Sequence, residues 1–443
     1  AAPTAQVWTL PLGILMFDWR CRGGLVGGRV NRLWGRKSTF KTTLCLRAAR
    51  SAQRTCRHCR APLVRRPDGG RRDCRCPNPR WWLARPADYA WLPSFVAIRL
   101  AAGHLPEGTK MKVVEGLGRV PVLKCEPPPH LPRAKAREIP FTETARCEPW
   151  RVLFCDSEQT VDAAWAKANG VDGENLLLIG ATWAEKNLAS IEEAVISTEF
   201  DLIIIDSTSM LEPESDKTLM ENEKVASRAR LLGRFISRHI VSGYAEGLTS
   251  RYVPTVLTTS QVSTKGIGGG PKAHAYLDAT DGNKFEHALS LDVKMSEAGY
   301  DFDEGRQAAV SGRFGFEVRK SKIGASVGAA GEVKFWLRET EDHRVGDSND
   351  AQTVVDYARR FGAPFIAGPT SALVLHTAYE PGGTKTFRTL ASVFDYFKAH
   401  EDLYDDLRAR VMEKLLSVHA DLTPVSAPIG SVAAEPPADA MEI

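Results

Sequence analysis

Short apolar runs alternate with helical segments in two separate parts of the sequence, residues 1–52 and residues 150–340. The runs "RVNRLW", "RVLFCDSE", "FDLIIIDS" and "VPTVLTTSQ" have the length and composition of buried strands. Segments with helical period, such as "TTLCLRAARSA", follow or separate them. Buried strands that alternate with helices are typical of a parallel sheet. The pattern therefore predicts an α/β fold with a mainly parallel central sheet.

Three other parts of the chain break this alternation. Residues 53–149 are rich in Arg, Pro and Trp and show little helical period, which favours a module inserted into the core. Residues 351–418 carry periodic segments such as "TVVDYARRF", which predict a small α-rich C-terminal domain. Residues 419–443 are rich in Pro and Ala and mildly acidic, and this composition predicts a disordered tail.

Composition and charge limit the class of protein. The 443 residues, 43% of them hydrophobic, can bury a large core and suggest two or three domains. A net charge of +4 is only mildly basic, so the placement of charge is more informative than its total. The chain has no apolar run of about 18 residues and no signal-peptide pattern at its start. Nine cysteines, four of them within residues 56–76, favour a metal site in a soluble cytoplasmic protein over disulfides.

The segment "GRKSTFKT", residues 35–42, nearly matches the phosphate-binding pattern G-x-x-x-x-G-K-[ST] and lies between a predicted strand and a predicted helix. Lys41 would neutralise phosphate charge, and Thr42 would ligate Mg²⁺. Phe40 replaces the second glycine and can serve only if its backbone stays in an allowed region. The alternative is a basic turn before a helix. The predicted nucleotide-binding residues of the loop are Gly35, Arg36, Lys37, Ser38, Thr39, Phe40, Lys41, Thr42 and Thr43.

Two carboxylates follow predicted strands elsewhere in the core. Asp206 ends the strand "FDLIIID", where it would lie at the carboxyl end of a strand beside the loop and hold Mg²⁺ through water. Glu158 follows the strand "RVLFCD" and offers a carboxylate that could orient and deprotonate an attacking water. A merely solvated acid is the alternative for Glu158. Together, the loop and Asp206 predict an ATPase.

The order of these motifs resembles that of the RecA/UvsX family of strand-exchange recombinases. The stretch "LPLGILMFDWRCRGGLVGGRVNRLWGRKSTFKTTL" is similar to the start of the family's core, and Phe40 resembles a marker of the phage UvsX branch. The stretch "FCDSEQTVDAAWAKANGVDGENLL" resembles the segment with the family's catalytic glutamate. The resemblance covers most of residues 9–51 and 150–418, and it implies a RecA-like P-loop ATPase core.

The resemblance implies roles for further residues around the nucleotide. It assigns the catalytic glutamate to Glu158 and the adenine contacts to Asp162 and Trp165. A tryptophan of the core is the alternative for Trp165, although stacking on an aromatic face suits adenine. Gln261, in "TTSQ", would detect the γ-phosphate and transmit its presence to a DNA-binding loop.

Two segments resemble the family's DNA-binding loops. The stretch "VSTKGIGGGPKAHAYLDATDGNK" has glycines for close backbone approach and lysines for phosphates. A long irregular loop inside a compact domain usually carries a function, although a solvated surface loop is the alternative. The stretch "LEPESDKTLMENEKVASRAR" matches the first DNA-binding loop. The predicted DNA contacts are Met220, Arg230, Lys265, Gly266, Gly268, Gly269, Lys272 and Lys284.

Two lysines resemble the pair that crosses the subunit interface in the family's filaments. Lys320 and Lys322, in "FEVRKSKIGA", are two residues apart and would share one strand face. They would reach the γ-phosphate of a neighbouring subunit, and a solvated basic edge strand is the alternative. Only about nine residues precede the match, so the family's N-terminal docking helix and strand are nearly absent. Either the chain is trimmed or filament assembly uses another contact.

The insert contains two close cysteine pairs in "CRHCRAPLVRRPDGGRRDCRC". Cys56 and Cys59 have C-x-x-C spacing, and Cys74 and Cys76 have the less usual C-x-C spacing. Two thiol pairs across a turn can form a tetrahedral site for structural Zn²⁺. Other candidate ligands are Cys125, Cys147 and His58, and free reduced cysteines in a basic loop are the alternative.

The same stretch is densely cationic and is followed by Trp81 and Trp82. Arginines next to aromatic residues suit binding of the nucleic-acid backbone and stacking of bases. We therefore hypothesise that the insert is an auxiliary DNA-binding zinc module. A solvated basic face with core tryptophans is the alternative.

Together these features predict an ATP-dependent, DNA-stimulated recombinase that coats single-stranded DNA and pairs it with homologous duplex. Its expected cofactors are ATP, Mg²⁺ and structural Zn²⁺. Its expected partners are single- and double-stranded DNA, further copies of the chain in a helical filament, a single-strand-binding protein and a loading mediator. Its expected location is the nucleoid of a bacterial or phage-infected cell. The alternatives are a ring-forming helicase or branch-migration ATPase, and a zinc-bearing DNA-binding accessory protein that does not hydrolyse ATP.

Overall fold

The apolar runs of both core parts come together in one eight-stranded sheet in the computed structural model of the protein. The structure describes residues 8–57, 63–64, 73–74, 82–83, 105, 108–126, 136–142, 149–180, 183–197, 199–211, 230–236, 254–267, 274–279, 283–303, 305, 308–369, 372–376 and 383–420.

The elements of these ranges are numbered along the chain. The strands are β1 (Thr9–Leu10), β2 (Leu25–Val26), β3 (Val30–Gly35), β4 (Leu63–Val64), β5 (Asp73–Cys74), β6 (Trp82–Leu83), β7 (Lys110–Val114), β8 (Gly118–Cys125), β9 (Arg137–Thr142), β10 (Val152–Asp156), β11 (Leu176–Ile179), β12 (Leu202–Asp206), β13 (Thr255–Ser260), β14 (Val262–Ile267), β15 (His274–Ala279), β16 (Leu289–Asp303), β17 (Ala308–Ser321), β18 (Ala330–Trp336), β19 (Ile366–Ala367), β20 (Leu373–His376) and β21 (Thr384–Phe387). The helices are α1 (Leu15–Arg20), α2 (Lys41–Gln53), α3 (Ala163–Ala168), α4 (Ala184–Ser197), α5 (Asn283–Ala288), α6 (Asp350–Phe361), α7 (Leu390–Ala399) and α8 (Glu401–Ala420), with 3-10 turns at Gly173–Asn175 and Thr208–Met210. None of the helices in the described ranges is long and apolar enough to cross a membrane.

The central sheet has the strand order β11-β10-β12-β13-β3-β16-β17-β18. The strands from β11 to β16 in this order are parallel, and β17 and β18 add two antiparallel strands at one side. One face is covered by α2, in a cluster that includes Leu33, Leu44 and Phe154. The other face is covered by α4, in a cluster that includes Leu153 and Leu188. The prediction of an α/β fold with a mainly parallel sheet is confirmed.

Parallel strands place their carboxyl ends at one edge of the sheet, where ligands of such folds bind. The predicted phosphate loop follows β3, and Asp206 ends β12 at the same edge. Asp206 lies beside the loop, within 2.6 Å of Thr42, although β12 is not the direct neighbour of β3, because β13 lies between them. Sequence order could not show this, since long connections let a later strand insert between two earlier ones.

The segment after Gln261 forms a hairpin where the sequence predicted an irregular loop. β14 and β15 pair antiparallel, with Val262 opposite Ala279 and Ile267 opposite His274. The β-branched residues of "VSTKGI" favour strand pairing even beside a glycine-rich stretch. Residues 268–273, between the two strands, lie outside the described residues.

The C-terminal part contains a small sheet, which the sequence analysis missed, in addition to the helices that it predicted. β19, β20 and β21 form a three-stranded antiparallel sheet. Strands this short leave no period in the sequence, and they were missed for that reason. Leu15 of α1 joins the same apolar cluster as Val354 of α6 and Leu407 of α8. Arg408 also pairs with the buried Asp18 of α1 at 3.1 Å.

The insert contains a four-stranded antiparallel sheet with the order β6-β9-β8-β7. Its two ends meet at the core, where Cys56 forms a β-bridge with Pro149. Arg57 pairs with Asp201, directly before β12, at 3.0 Å. The β-bridge therefore closes the base of the insert, and the side chain of Arg57 joins this base to the core.

Candidate functional site

The loop after β3 encloses the side chain of its own lysine. Lys41 Nζ donates hydrogen bonds to the carbonyl oxygens of Gly35, 3.1 Å away, and Arg36, 2.7 Å away. A third bond, of 3.3 Å, goes to the hydroxyl of Thr39. Burial lowers the pKa of this ammonium group, and the negative charge of Asp206 opposes the shift. Phosphate oxygens can replace these carbonyl oxygens as acceptors and form stronger, charge-assisted bonds.

Phe40 adopts the left-handed backbone conformation that the loop pattern reserves for glycine. Its φ is 59° and its ψ is 21°. This conformation costs a residue other than glycine about 1–2 kcal/mol. The phenyl ring lies near Phe314, Phe335 and Tyr300, at centroid distances of 5.6, 5.7 and 6.3 Å. Each such contact contributes about 0.5–1.5 kcal/mol beyond the burial of area, so together they offset the backbone cost.

Thr42, in the first turn of α2, contacts Asp206 directly. Its Oγ1 donates a hydrogen bond of 2.6 Å to Asp206 Oδ2. Thr259 of β13 donates to the other carboxylate oxygen. Burial raises the pKa of Asp206, and the two hydroxyl donors lower it. A threonine hydroxyl beside a buried carboxylate supplies the hard oxygen donors that Mg²⁺ prefers, so these residues fit that ion.

Glu158, on the loop after β10, accepts two hydrogen bonds through one carboxylate oxygen. Gln261 Nε2 donates to Oε1 at 3.0 Å, and Ser207 Oγ donates at 2.7 Å. Ser157 Oγ donates to the carbonyl oxygen of Ser207 at 2.6 Å. These bonds connect the ends of β10, β12 and β13. They hold the Glu158 carboxylate at the same sheet edge as Asp206, where it can accept a proton from water.

Trp165 of α3 lies against the first turn of α2. Asp162 caps α3 by accepting a hydrogen bond of 2.7 Å from the backbone N–H of Trp165. The indole Nε1 donates to Thr43 Oγ1 at 3.3 Å. The ring is half-buried and also packs against the apolar core, as the alternative assignment expected. Its position beside Thr43 is next to the phosphate loop and is compatible with stacking of a nucleotide base.

In comparisons with known proteins, the matched family model covers residues that lie mainly after the insert. Residues 144–299 match the family model of the RecA N-terminal domain. Protein RecA of Wolinella succinogenes is 31% identical over 177 residues, which is 38% of this chain and 46% of that protein. Protein RecA of Sulfurimonas denitrificans is 31% identical over 148 residues, 32% of this chain and 39% of that protein. Protein RecA of Wolbachia sp. subsp. Brugia malayi is 23% identical over 268 residues, 59% of this chain and 66% of that protein.

Residues 144–299 are therefore similar to the core of the RecA family. The matched residues include Glu158, Asp206 and Gln261. The predicted phosphate loop precedes the matched range and contacts it through the hydrogen bond from Thr42 to Asp206. The chain spans less than half of the length of the Wolinella and Sulfurimonas RecA proteins. The narrower assignment to the phage UvsX branch stays a prediction.

The predicted DNA contacts of this RecA-like core are only partly within the described residues. Lys265 and Gly266 lie in β14, shortly after Gln261, and Lys284 lies in α5. Arg230 is exposed, and residues 230–235 are helical. The contacts that lie outside the described residues are Met220, Gly268, Gly269 and Lys272.

Lys320 and Lys322 lie near the end of β17 and contact α5 of the same chain. Both ammonium groups donate hydrogen bonds to backbone carbonyl oxygens at the end of α5. Asp292 of β16 is paired with Lys320 of β17 on one side and with Arg32 of β3 on the other, so Lys320 and Arg32 lie at the same position along the strands. Arg32 precedes Gly35 by three residues, or about 10 Å along a strand. The two lysines therefore lie away from the sheet edge that carries the loop of their own chain.

The four cysteines predicted to bind zinc are also only partly described. Cys56 is buried at the base of the insert, and Cys74 is paired with Leu63 across β4 and β5. Cys59 and Cys76 lie outside the described residues. Among the residues that the structure describes, no group of three or more His, Cys, Asp or Glu side chains is arranged to hold a metal ion. Zinc therefore stays a prediction from cysteine spacing alone.

The sequence analysis missed residues that position the predicted site. Ser207 and Thr259 donate to Glu158 and Asp206, respectively. Asp156 accepts a hydrogen bond of 2.8 Å from the N–H of Val161 and so closes the loop that carries Glu158. Thr259 precedes Gln261 by two residues, and residues at this spacing share one strand face. That period of two was the one signal that could have identified it.

Proposed function

We propose that the protein is an ATP-dependent recombinase that coats single-stranded DNA and pairs it with homologous duplex. The observation that carries the proposal is the hydrogen bond from Gln261 to Glu158. Gln261 is the last residue before β14, the first strand of the candidate DNA-binding hairpin. One side chain thus connects this hairpin with the candidate general base. Binding of DNA to the hairpin can therefore change the rate of hydrolysis at Glu158.

Each residue around the phosphate loop has one task in this proposal. Lys41 leaves the loop carbonyl oxygens and neutralises the charge of the β- and γ-phosphates. Thr42 and Asp206 hold Mg²⁺, which neutralises phosphate charge when bound. Glu158 takes a proton from the water that attacks the γ-phosphorus, and the bond to the leaving ADP oxygen breaks. Trp165 contacts the base.

The proposal includes a filament in which Lys320 and Lys322 act on the nucleotide of a neighbouring copy. Their distance from the loop of their own chain, about 10 Å along the strand, supports an action in trans. Their hydrogen bonds to carbonyl oxygens of α5 can be exchanged for bonds to phosphate. Because α5 follows the candidate DNA-binding hairpin in the chain, DNA binding can influence when the exchange occurs. Hydrolysis then requires assembled subunits.

The insert is proposed to be an auxiliary DNA-binding module with a structural Zn²⁺ site at Cys56, Cys59, Cys74 and Cys76. Support comes from the cysteine spacing and the density of arginine. Cys56→Ser with Cys59→Ser should weaken DNA affinity and leave ATP affinity unchanged. Unchanged DNA affinity would remove the module from the proposal. A single-strand-binding protein and a loading mediator are the further partners that a cytoplasmic, nucleoid-associated recombinase would use.

The test of the proposed function is the rate of ATP hydrolysis with and without single-stranded DNA. Stimulation by DNA is expected, and Lys41→Ala should abolish hydrolysis. Lys398→Ala, which removes an exposed lysine of α7, is the control that should behave like the unchanged protein. Circular dichroism of each variant shows whether a loss of hydrolysis comes from the missing lysine or from an unfolded protein. Absence of hydrolysis in the unchanged protein would instead favour the accessory protein.

Strand exchange between homologous DNAs separates the recombinase from the other enzymes with this core. A recombinase joins a single strand to a homologous duplex and leaves a heterologous duplex intact. A helicase unwinds both duplexes. Electron microscopy of the complex with single-stranded DNA should show open filaments, whereas closed rings of fixed subunit number would contradict the proposal.

A further inference from the structure

Phe40 packs against Gly312 of β17, which pairs with β16 in an antiparallel hairpin. A methyl group added to Gly312 of β17 would lie 2.3 Å from Cζ and 2.8 Å from Cε2 of the Phe40 ring. The ring therefore fills the space that any side chain at position 312 would need. Phe314 and Phe335 contact the same ring. We call Gly312, Phe314, Phe335 and Tyr300 the aromatic seat of Phe40.

The hairpin of β16 and β17 contacts the phosphate loop at a second position. The hydroxyl of Tyr300 donates a hydrogen bond of 3.4 Å to the carbonyl oxygen of Ser38. Ser38 and Phe40 are the two loop residues with left-handed backbones, with φ of 60° and 59°. The hairpin thus supports both residues at which the loop departs from ordinary backbone conformations. A glycine at position 40 would reach this conformation without support, but a phenylalanine requires it.

We propose that Phe40 is a positioning residue, and that its fit against Gly312 holds Lys41 and Thr42 in front of Asp206. The inference rests on the proposed function, because it concerns how the same site binds ATP. Lys41 directly follows Phe40, and Thr42 lies 2.6 Å from Asp206. A displacement of the Phe40 backbone therefore moves both residues that contact the nucleotide and its metal. The antiparallel strand β17 is part of the nucleotide site in this protein.

The test is a double-mutant cycle on Phe40 and Gly312, read as the Kd of a fluorescent ATP analogue. Gly312→Ala alone should weaken binding about tenfold or more, because small displacements of binding groups have large effects. In the Phe40→Gly background the same change should alter Kd by less than about twofold, since the conflicting ring is gone. Of the three atoms nearest to the added methyl group, Tyr300 Cε1 at 3.0 Å then remains, and the tyrosine ring can move aside. Phe40→Leu should partly restore binding to Gly312→Ala.

Gly315→Ala is the matched control on the same strand. Its added methyl group would lie 2.8 Å from Ser296 Oγ and away from the loop. We expect this variant to lower the melting temperature and leave the Kd for the ATP analogue unchanged. For Gly312→Ala we expect KM for ATP to rise about tenfold and kcat to change less, because Glu158 and Gln261 lie on other strands.

Two outcomes would overturn the inference, and they differ in what else they affect. If Gly312→Ala has no effect on Kd, or the same effect with and without Phe40, the aromatic seat does not position the loop. In that case the proposed function stands. If the unchanged protein does not bind the ATP analogue, the proposed function and this inference fail together.

Discussion

Gln261 Nε2 donates a hydrogen bond to Glu158 Oε1 over 3.0 Å. The two residues follow β13 and β10, which are separated in the sheet by β12. They meet because all three strands are parallel and end at one edge. Since Gln261 continues directly into β14, the candidate general base is one side chain away from the candidate DNA-binding hairpin.

Gln261→Ala should reduce the coupling between DNA binding and the rate of ATP hydrolysis. Without the amide, Glu158 loses a donor and the hairpin loses its contact with the nucleotide site. We expect stimulation of ATP hydrolysis by single-stranded DNA to fall at least about tenfold, which corresponds to a coupling of about 1.4 kcal/mol. Basal hydrolysis should change less, and this is measured by comparing rates with and without DNA. The matched control is Gln352→Ala, which removes an exposed bond of 2.9 Å to Asp356 within α6. Equal stimulation in both variants would contradict the prediction.

Glu158→Gln should abolish turnover while nucleotide binding persists. The amide can still accept the bonds from Ser207 and Gln261 through its oxygen, but it cannot take a proton from water. General-base catalysis contributes about 10²–10⁴-fold, and kcat should fall by that factor. The Kd for ATP should stay within about threefold, as measured by equilibrium titration. A variant that hydrolyses ATP at an unchanged rate would exclude Glu158 as the base.

Mixing two inactive variants tests whether Lys320 and Lys322 act in trans. One variant carries Lys320→Ala with Lys322→Ala, and the other carries Glu158→Gln. In a head-to-tail filament of equal parts, about one quarter of the interfaces combine an intact Glu158 with intact lysines of the neighbour. Hydrolysis should therefore recover to about a quarter of the normal rate on single-stranded DNA. If the lysines served their own chain, the mixture would stay as inactive as the variant carrying Glu158→Gln.

Asp18→Asn should change how stability depends on pH. Burial raises the pKa of the Asp18 carboxyl from 3.8 to about 6, against the opposing effects of Arg408 and of the N–H groups of Leu12 and Ile14. The charge of Asp350 adds to the increase. A folded-state pKa above the ordinary value means that the folded protein binds more protons between pH 4 and 6. This group's contribution to the free energy of unfolding therefore decreases as pH rises through that range.

The expected size of that decrease is at most about 3 kcal/mol, because two pKa units correspond to about 2.7 kcal/mol. Asp18→Asn removes the titration, and its neutral side chain resembles the protonated Asp18 that predominates in the folded protein at pH 4. The difference in free energy of unfolding between the unchanged protein and the variant should therefore decrease from pH 4 to pH 6. Urea denaturation at intervals across this range measures it, and parallel curves would contradict the assignment.

The residue types of the predicted phosphate loop were visible in the sequence, but the conformation of Phe40 was not. The spacing of Gly35, Lys41 and Thr42 is a local pattern, and the loop that it predicted between a strand and a helix lies between β3 and α2. The left-handed backbone of Phe40 is stabilised by aromatic residues that lie far along the chain. A conformation that depends on distant packing leaves no mark in the local sequence.

The sequence by itself determined the strand and helix segments of the core and the residue types at their ends, because both depend on neighbours along the chain. It did so for Lys41 after β3, for Asp206 at the end of β12 and for Gln261 after β13. Only the tertiary structure decided that β13 lies between β3 and β12, that Gln261 contacts Glu158, and that Phe40 fits over Gly312. These relationships arise from the packing of segments joined by long connections. The periodicity and spacing of a sequence do not show which distant side chains will contact each other.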